Sequence, residues 1–298
     1  MPTPRLGGAA LVLAVVVAAI PLVVRPGAST ELRAVLVAGI VVAGVGLIDD
    51  FRPLAASTRL VVQIAGSAAL IAALGVPRLD ILPGVPFDVP IWVAGAVLVV
   101  WMVGVLNIYN FMDGMDGLAG LQTVTAATAQ CVLLGSVGAS ELAAFSALVG
   151  ASAGGFLLQN FPPARIFMGD AGSTFVGFAF ATLGVLGMKH GLPLAAMALP
   201  LAPFLLDGTF TILRRAARRE PIWKAHRTHL YQRAVQTDLG HREVLLVYAG
   251  WLGLVLGVAV LAPQSKLFVY VGWGVAVAAL VAVWRWVNVR ESQKAGAA

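Results

Sequence analysis

The chain has 298 residues, 59% of them hydrophobic and only 11% charged, with twenty Lys and Arg against fourteen Asp and Glu for a net charge of +6. Soluble domains carry about 25% charged residues, so a water-wrapped globule is excluded. The apolar residues fall in blocks of bilayer-crossing length rather than the alternating, roughly ten-residue segments of an outer-membrane barrel, so the fold class is an all-α polytopic membrane helix bundle.

Ten spans are predicted in chain order: Gly8–Val24, Leu32–Ile48, Leu60–Leu74, Ile91–Leu106, Leu118–Gly135, Leu142–Phe161, Thr174–Met188, Leu192–Ile212, Val244–Leu261 and Leu267–Trp286. Arg5 ahead of an apolar run resembles a secretory leader, but the run continues to Val24 and nine spans follow, so it is read as the first helix. No composition shift divides the chain, and residues 1–298 are expected to form a single domain. Cys131 stands alone, which excludes an internal disulfide. Gly150/Gly154 and Gly253/Gly257 have the small-xxx-small spacing of close helix packing.

Alternating the connections places fifteen basic residues, from Arg5 through the Arg214–Arg242 loop to Lys294, on one side, and only Arg25, Arg33, Arg78, Lys189 and Lys266 on the other. That asymmetry puts both termini in the cytoplasm. It also places Asp49, Asp50, Asp113, Asp116, Asp170, His226, His229 and His241 on the cytoplasmic face, while the Arg78–Pro90 connection reads as a bland extended excursion.

Four clusters on that face carry chemistry. Asp49 and Asp50 end the second span, where a carboxylate at the hydrocarbon edge needs a cation, a base or water; a solvated pair beyond the helix is the alternative. Asn107, Asn110, Asp113 and Asp116 recur every third residue beside Gly114 and Gly117, a pattern for a hard cation and sugar, or for an ordinary Asn-Asp-Gly turn. Asp170 lies in Phe167-Met168-Gly169-Asp170-Ala171-Gly172-Ser173 at a helix start, as a Mg²⁺ ligand or, with Ser173, as a cap. The last cluster follows the basic run Arg214 to Arg219, which by itself suits lipid headgroups; His226, Arg227, His229 and Arg233 then gather imidazoles and phosphate-binding donors within eight residues. Zinc is disfavoured there because neither Cys nor a further ligand is near. Asp207, seven residues before Arg214, is expected to pair with a basic residue, and His190 to be a solvated interface residue.

Together these motifs resemble the polyprenyl-phosphate N-acetylhexosamine-1-phosphate transferases, the superfamily of phospho-N-acetylmuramoyl-pentapeptide transferase and undecaprenyl-phosphate N-acetylglucosaminyl-1-phosphate transferase. The resemblance runs from residue 2 to about Arg242. It implies attack of a lipid phosphate on the β-phosphorus of a UDP-N-acetylamino sugar, with release of UMP. It further implies that Asn110 and Asp170 hold Mg²⁺ and that Asn107, Asp113 and Asp116 line the nucleotide and sugar site. Asp49 and Asp50 would activate or position undecaprenyl phosphate, and His226, Arg227, His229 and Arg233 would bind diphosphate or sugar. The enzyme would sit in the bacterial inner membrane, site toward the cytoplasm, alone or as a homodimer, with no nucleic-acid partner, initiating cell-wall or surface-polysaccharide synthesis such as lipopolysaccharide.

Two positions depart from the family pattern. Pro2-Thr3-Pro4-Arg5-Leu6-Gly7-Gly8 opens the chain with Leu6 in place of a glycine, where family members carry a preceding helix, so either that helix is absent or this start is internal, and an in-frame apolar stretch upstream would decide between them. His226-Arg227-Thr228-His229 lacks the consecutive histidines of the muramoyl-pentapeptide branch, which favours UDP-N-acetylfucosamine, UDP-N-acetylquinovosamine or UDP-N-acetylglucosamine. An ion-coupled transporter is the alternative function; it requires polar groups near mid-membrane and an inverted repeat. A CDP-alcohol phosphotransferase would need further spaced aspartates after Asp113-Gly114 that the chain does not supply.

Overall fold

The computed structural model describes residues 3–221 and 226–297. Its helices are α1 (Gly7–Val24), α2 (Thr30–Phe51), α3 (Ala56–Leu74), α4 (Ile91–Met112), α5 (Leu118–Ser136), α6 (Ser140–Asn160), α7 (Gly169–Lys189), α8 (Leu194–Ala198), α9 (Ala202–Ala217), α10 (Leu230–Val235), α11 (His241–Ala259) and α12 (Lys266–Ala297). Among the described residues ten helical stretches are long and apolar enough to cross a membrane, which makes this a multi-pass, all-α membrane protein. Pro2 and Lys224 lie outside the described residues.

The predicted spans are all present, but their polar ends are longer than expected. α4 continues through Asn107 and Asn110 to Met112, and α7 starts at Gly169 rather than Thr174. Two site motifs are therefore helix ends, not loops. The Arg78–Pro90 excursion holds a small antiparallel hairpin, β1 (Leu79–Leu82) and β2 (Val85–Phe87), turning at Gly84.

α7 is the axis of the bundle: Ala171 to Met188 are all buried, among α1, α2, α4, α5 and α6. Apolar burial gives little drive for helix association in lipid, so close backbone packing has to supply it. Added Cβ atoms show where this happens. One on Gly8 would overlap the Gly172 backbone of α7, one on Gly46 of α2 the Asp170 carbonyl, and one on Gly177 the α4 backbone at Leu106. Gly150 likewise meets Ala127 of α5. The expected packing role of Gly253 and Gly257 is corrected, because nothing approaches either within 4 Å and both are exposed.

The eighth span is broken, with a 3-10 turn at Leu199–Leu201 between α8 and α9. Buried Gln122 and Gln130 of α5 donate to the carbonyls of Pro200 (2.8 Å) and Met197 (2.9 Å) at this break. Such side-chain donors satisfy irregular backbone at membrane depth, which accounts for these mid-span polar groups structurally.

Candidate active site

The site is assembled at one end of the bundle, around the amino end of α7. Pro53 ends α2 just past its two carboxylates. The segment before α1 lies along the residues before α7: Phe167 N–H donates to Pro4 O (2.8 Å), Gly7 N–H to Phe167 O (3.0 Å) and Gly8 N–H to Met168 O (2.8 Å). Gly169 has a positive φ of 69°, and a side chain there would strike Arg5 and Asp50.

The acidic positions play different parts. Asp50 accepts Asp170 N–H (2.8 Å) and Ala171 N–H (3.0 Å), one per carboxylate oxygen, so α2 supplies the anionic cap of α7. Neither Asp170 nor Ser173 is that cap, since Ser173 Oγ donates back to Gly169 O. Asp49 accepts Leu54 N–H (2.5 Å) and Arg59 Nη1 (2.8 Å), and the same Arg59 nitrogen lies 3.5 Å from Asp170. Asn110 donates to Asp170 (2.7 Å) and to Ser173 Oγ (2.9 Å), leaving its carbonyl oxygen without a partner among the described residues. The Asp113 carboxylate, just past the end of α4, has no hydrogen-bonding partner among the described residues. Burial, then the negative charges of Asp170 and Asp50, push its carboxyl up to about 7.

Two cavities meet here. One, about 370 Å³, is an apolar groove between α2, α3 and α4, bordered by Val42, Val45, Leu60 and Val62 with Gln63 and Asn107. Asn107 donates to Gln63 (2.7 Å) within it. The other, about 320 Å³, is polar and holds Arg5, Asp50, Asp113, Asp116, Asn160 and His241. Asp49, Asn110 and Asp170 belong to both and form their common wall. An amphiphile in the groove and a charged solute in the polar cavity would meet at that wall.

The second cluster is thus split. Asn107 faces the groove, Asn110 stands at the wall, and Asp113 and Asp116 face the polar cavity. Asp116 is held by Ala164 N–H (3.0 Å) and lies 3.2 Å from His241 Nδ1.

The His-Arg loop departs from expectation. Asp207, fully buried, does not pair with Arg214: it accepts Leu230 N–H (2.9 Å) and Tyr248 OH (2.6 Å) and lies 3.7 Å from His229 Nδ1. Arg214 donates instead to Thr228 O (2.7 Å). His229 is 1% exposed, and its backbone N–H is capped by Gln232 (3.2 Å) at the start of α10. Arg233 is bound to Asn288 (2.7 Å) and Glu291 (2.5 Å) of α12. His226 touches Thr228, and burial followed by the charges of His229 and Arg215 lowers its imidazole to about 4, so it is neutral at physiological pH. Arg227 is exposed. None of these four borders either cavity. The loop reaches the site through Tyr231, whose OH donates to Phe111 O (3.2 Å) over Gly114, where a Cβ would collide with it.

Sequence reading passes over Arg5, Arg59 and His241 as site residues. The first two resemble charges that set topology, and His241 was placed on this face without a role. His190, as expected, is an exposed residue at the opposite end, 3.2 Å from Glu31.

Residues 32–188, from α2 to the end of α7, match the family model described as glycosyl transferase family 4. The chain is 33% identical over 276 residues to a probable undecaprenyl-phosphate N-acetylglucosaminyl 1-phosphate transferase of Bacillus subtilis, an alignment covering 88% of this chain and 74% of that one. It is 33% identical over 286 residues to a decaprenyl-phosphate N-acetylglucosaminephosphotransferase of Mycobacterium tuberculosis, covering 85% and 70%. A phospho-N-acetylmuramoyl-pentapeptide-transferase of Shouchella clausii matches at 29% over 197 residues, covering 62% of this chain and 61% of that one. With its acidic motifs inside the matched segment, the chain belongs to glycosyl transferase family 4.

Proposed function

We propose that the protein, working as one membrane domain, transfers an N-acetylhexosamine 1-phosphate from a UDP-sugar to a polyprenyl phosphate at the cytoplasmic face of the bacterial inner membrane. The observation that carries this reading is the common wall of Asp49, Asn110 and Asp170 between an apolar groove and a polar cavity. The names of the Bacillus and Mycobacterium relatives support the substrate classes and make UDP-N-acetylglucosamine the first sugar to test. The product, a polyprenyl-diphosphate-linked sugar, would start a cell-wall or surface polysaccharide.

The groove takes the lipid and the polar cavity takes the donor. A lipid phosphate oxygen bonds to the β-phosphorus, the bond from that phosphorus to the bridging oxygen breaks, and UMP leaves with the electron pair. A phosphate monoester, with a second pKa of about 6, is already ionised near neutrality, so the attack is direct and needs no base. Asp49 and Arg59 orient the lipid phosphate, Arg59 by charge-assisted hydrogen bonds. Asp50 acts one step back, fixing the amino end of α7 and so the position of Asp170.

The donor diphosphate is anionic, and the residues present fit Mg²⁺. The free carbonyl of Asn110, the Asp170 carboxylate and the uncompensated Asp113 are hard oxygen groups. No three Asp, Glu, His or Cys side chains form a ready cluster among the described residues. Mg²⁺ does not need one, because it usually binds through one or two carboxylates, waters and substrate phosphates. Asn110 and Asp170 would hold it. When bound it supplies positive charge against the diphosphate.

Purified protein given Mg²⁺, undecaprenyl phosphate and a panel of UDP-sugars should release UMP with one of them. Asp170→Asn should abolish turnover and weaken the metal dependence; unchanged activity in that variant would remove Asp170 from the site.

A further inference from the structure

The first turn of α11 lies outside the segment matched by the family model, yet it closes the polar cavity. His241 and Leu245, one turn apart, share a helix face. Leu245 packs on Gly117, whose φ of 78° and lack of a side chain let the helix come close. His241 Nδ1 lies 3.2 Å from one Asp116 oxygen, while the other accepts Ala164 N–H at 3.0 Å. On the next turn of the same face, Tyr248 donates to Asp207 (2.6 Å), which in turn holds Leu230. One stripe of α11 therefore grips both the acidic turn after α4 and the start of the His-Arg loop.

We propose that His241 is a positioning residue for the donor. Its imidazole, 3.2 Å from Asp116, restrains that carboxylate at the wall of the polar cavity, and the restrained carboxylate sets the affinity for the UDP-sugar. The proposal rests on the transferase reading for the identity of the donor. A carboxylate bound at one oxygen by Ala164 N–H and flanked at the other by His241 loses less rotamer freedom when substrate arrives, so the effect belongs in donor binding and not in the chemical step. Neither the lipid groove nor its contacts involve His241.

The test compares His241→Asn, which keeps an N–H near the Nδ1 position, with His241→Gln and His241→Ala, which do not. Binding of UDP-N-acetylglucosamine with Mg²⁺ is measured by calorimetry without lipid, alongside KM and kcat with undecaprenyl phosphate and a thermal unfolding scan of each variant. His241→Gln and His241→Ala should bind the donor about tenfold more weakly, the loss of one polar contact to the carboxylate. Their kcat and their KM for lipid should stay within about twofold, and His241→Asn should restore donor binding to within about threefold of wild type. Equal affinity in all four proteins, equal loss in the Asn and Gln variants, or retention by Gln with loss by Asn overturns the proposal. A wild-type protein that binds donor but releases no UMP would sink the transferase reading, while the variant comparison still decides the role of His241.

Discussion

The amino end of α7 and the His-Arg loop carry equally polar sequences, yet the fold uses them in opposite ways. Around α7, Asp49, Asn110 and Asp170 converge from three helices on one wall, and Asp113 is left without a counter-charge. In the loop, Asp207 takes Leu230 N–H and Tyr248 OH and Arg233 is bound to Asn288 and Glu291, which holds α10 against α9, α11 and α12, while His229 is buried with its Nδ1 unpartnered among the described residues. A buried polar group is committed once its tertiary partners satisfy it, and chemistry belongs where charges are gathered and left uncompensated.

That contrast can be broken at either region. The largest effect is expected for Asp170→Asn, where loss of charge at the shared wall should cut kcat by about 10³-fold or more, with little change in the unfolding temperature in detergent. A destabilised but active variant would reverse the assignment. Asp207→Ala should do the opposite: removing a buried carboxylate with two close donors should cost about 3 to 5 kcal/mol in reversible unfolding, while the metal concentration for half-maximal activity stays unchanged.

Asp113 sharpens the comparison through pH. Its folded pKa of about 7 lies above the ordinary 3.8, so the folded state holds a proton the unfolded state has released. Stability at this residue is present below about pH 4 and is lost as pH rises toward 7. Metal-free protein should therefore become less heat-stable between about pH 4 and 7, Mg²⁺ should offset the loss, and Asp113→Asn should flatten the pH dependence. The smallest effect is expected for Arg233→Gln, which should lose about 1 to 3 kcal/mol of stability through its ties to Asn288 and Glu291 but keep donor KM within about threefold. A large KM change with normal stability would return Arg233 to the substrate site.

Much of this was legible in the sequence because a membrane constrains it tightly. Span number, the one-sided acidic motifs and the i, i+3 spacing of Asn107, Asn110 and Asp113 follow from hydropathy and helix period, and α4 carries that spacing through the first two of these residues. What was not legible depends on partners distant in sequence. Asp50 is 120 residues from the helix it caps, and Asp207 meets Leu230 and Tyr248, 23 and 41 residues further on. Arg59 resembles any basic residue at a helix start until the fold sets it between two carboxylates. Gly253 and Gly257 match a packing motif whose partner face is absent among the described residues, whereas single glycines such as Gly8 and Gly46 make the closest crossings.

The meeting of two substrates at the wall of Asp49, Asn110 and Asp170 is tested most directly by following the donor's β-phosphorus. Purified protein with undecaprenyl phosphate and UDP-N-acetylglucosamine labelled at that phosphorus should move the label into the lipid fraction, one label per UMP released, with none retained on protein when lipid is omitted. Label on Asp49 or Asp50 in the absence of lipid, or label released to water as sugar phosphate, would contradict direct transfer across that wall.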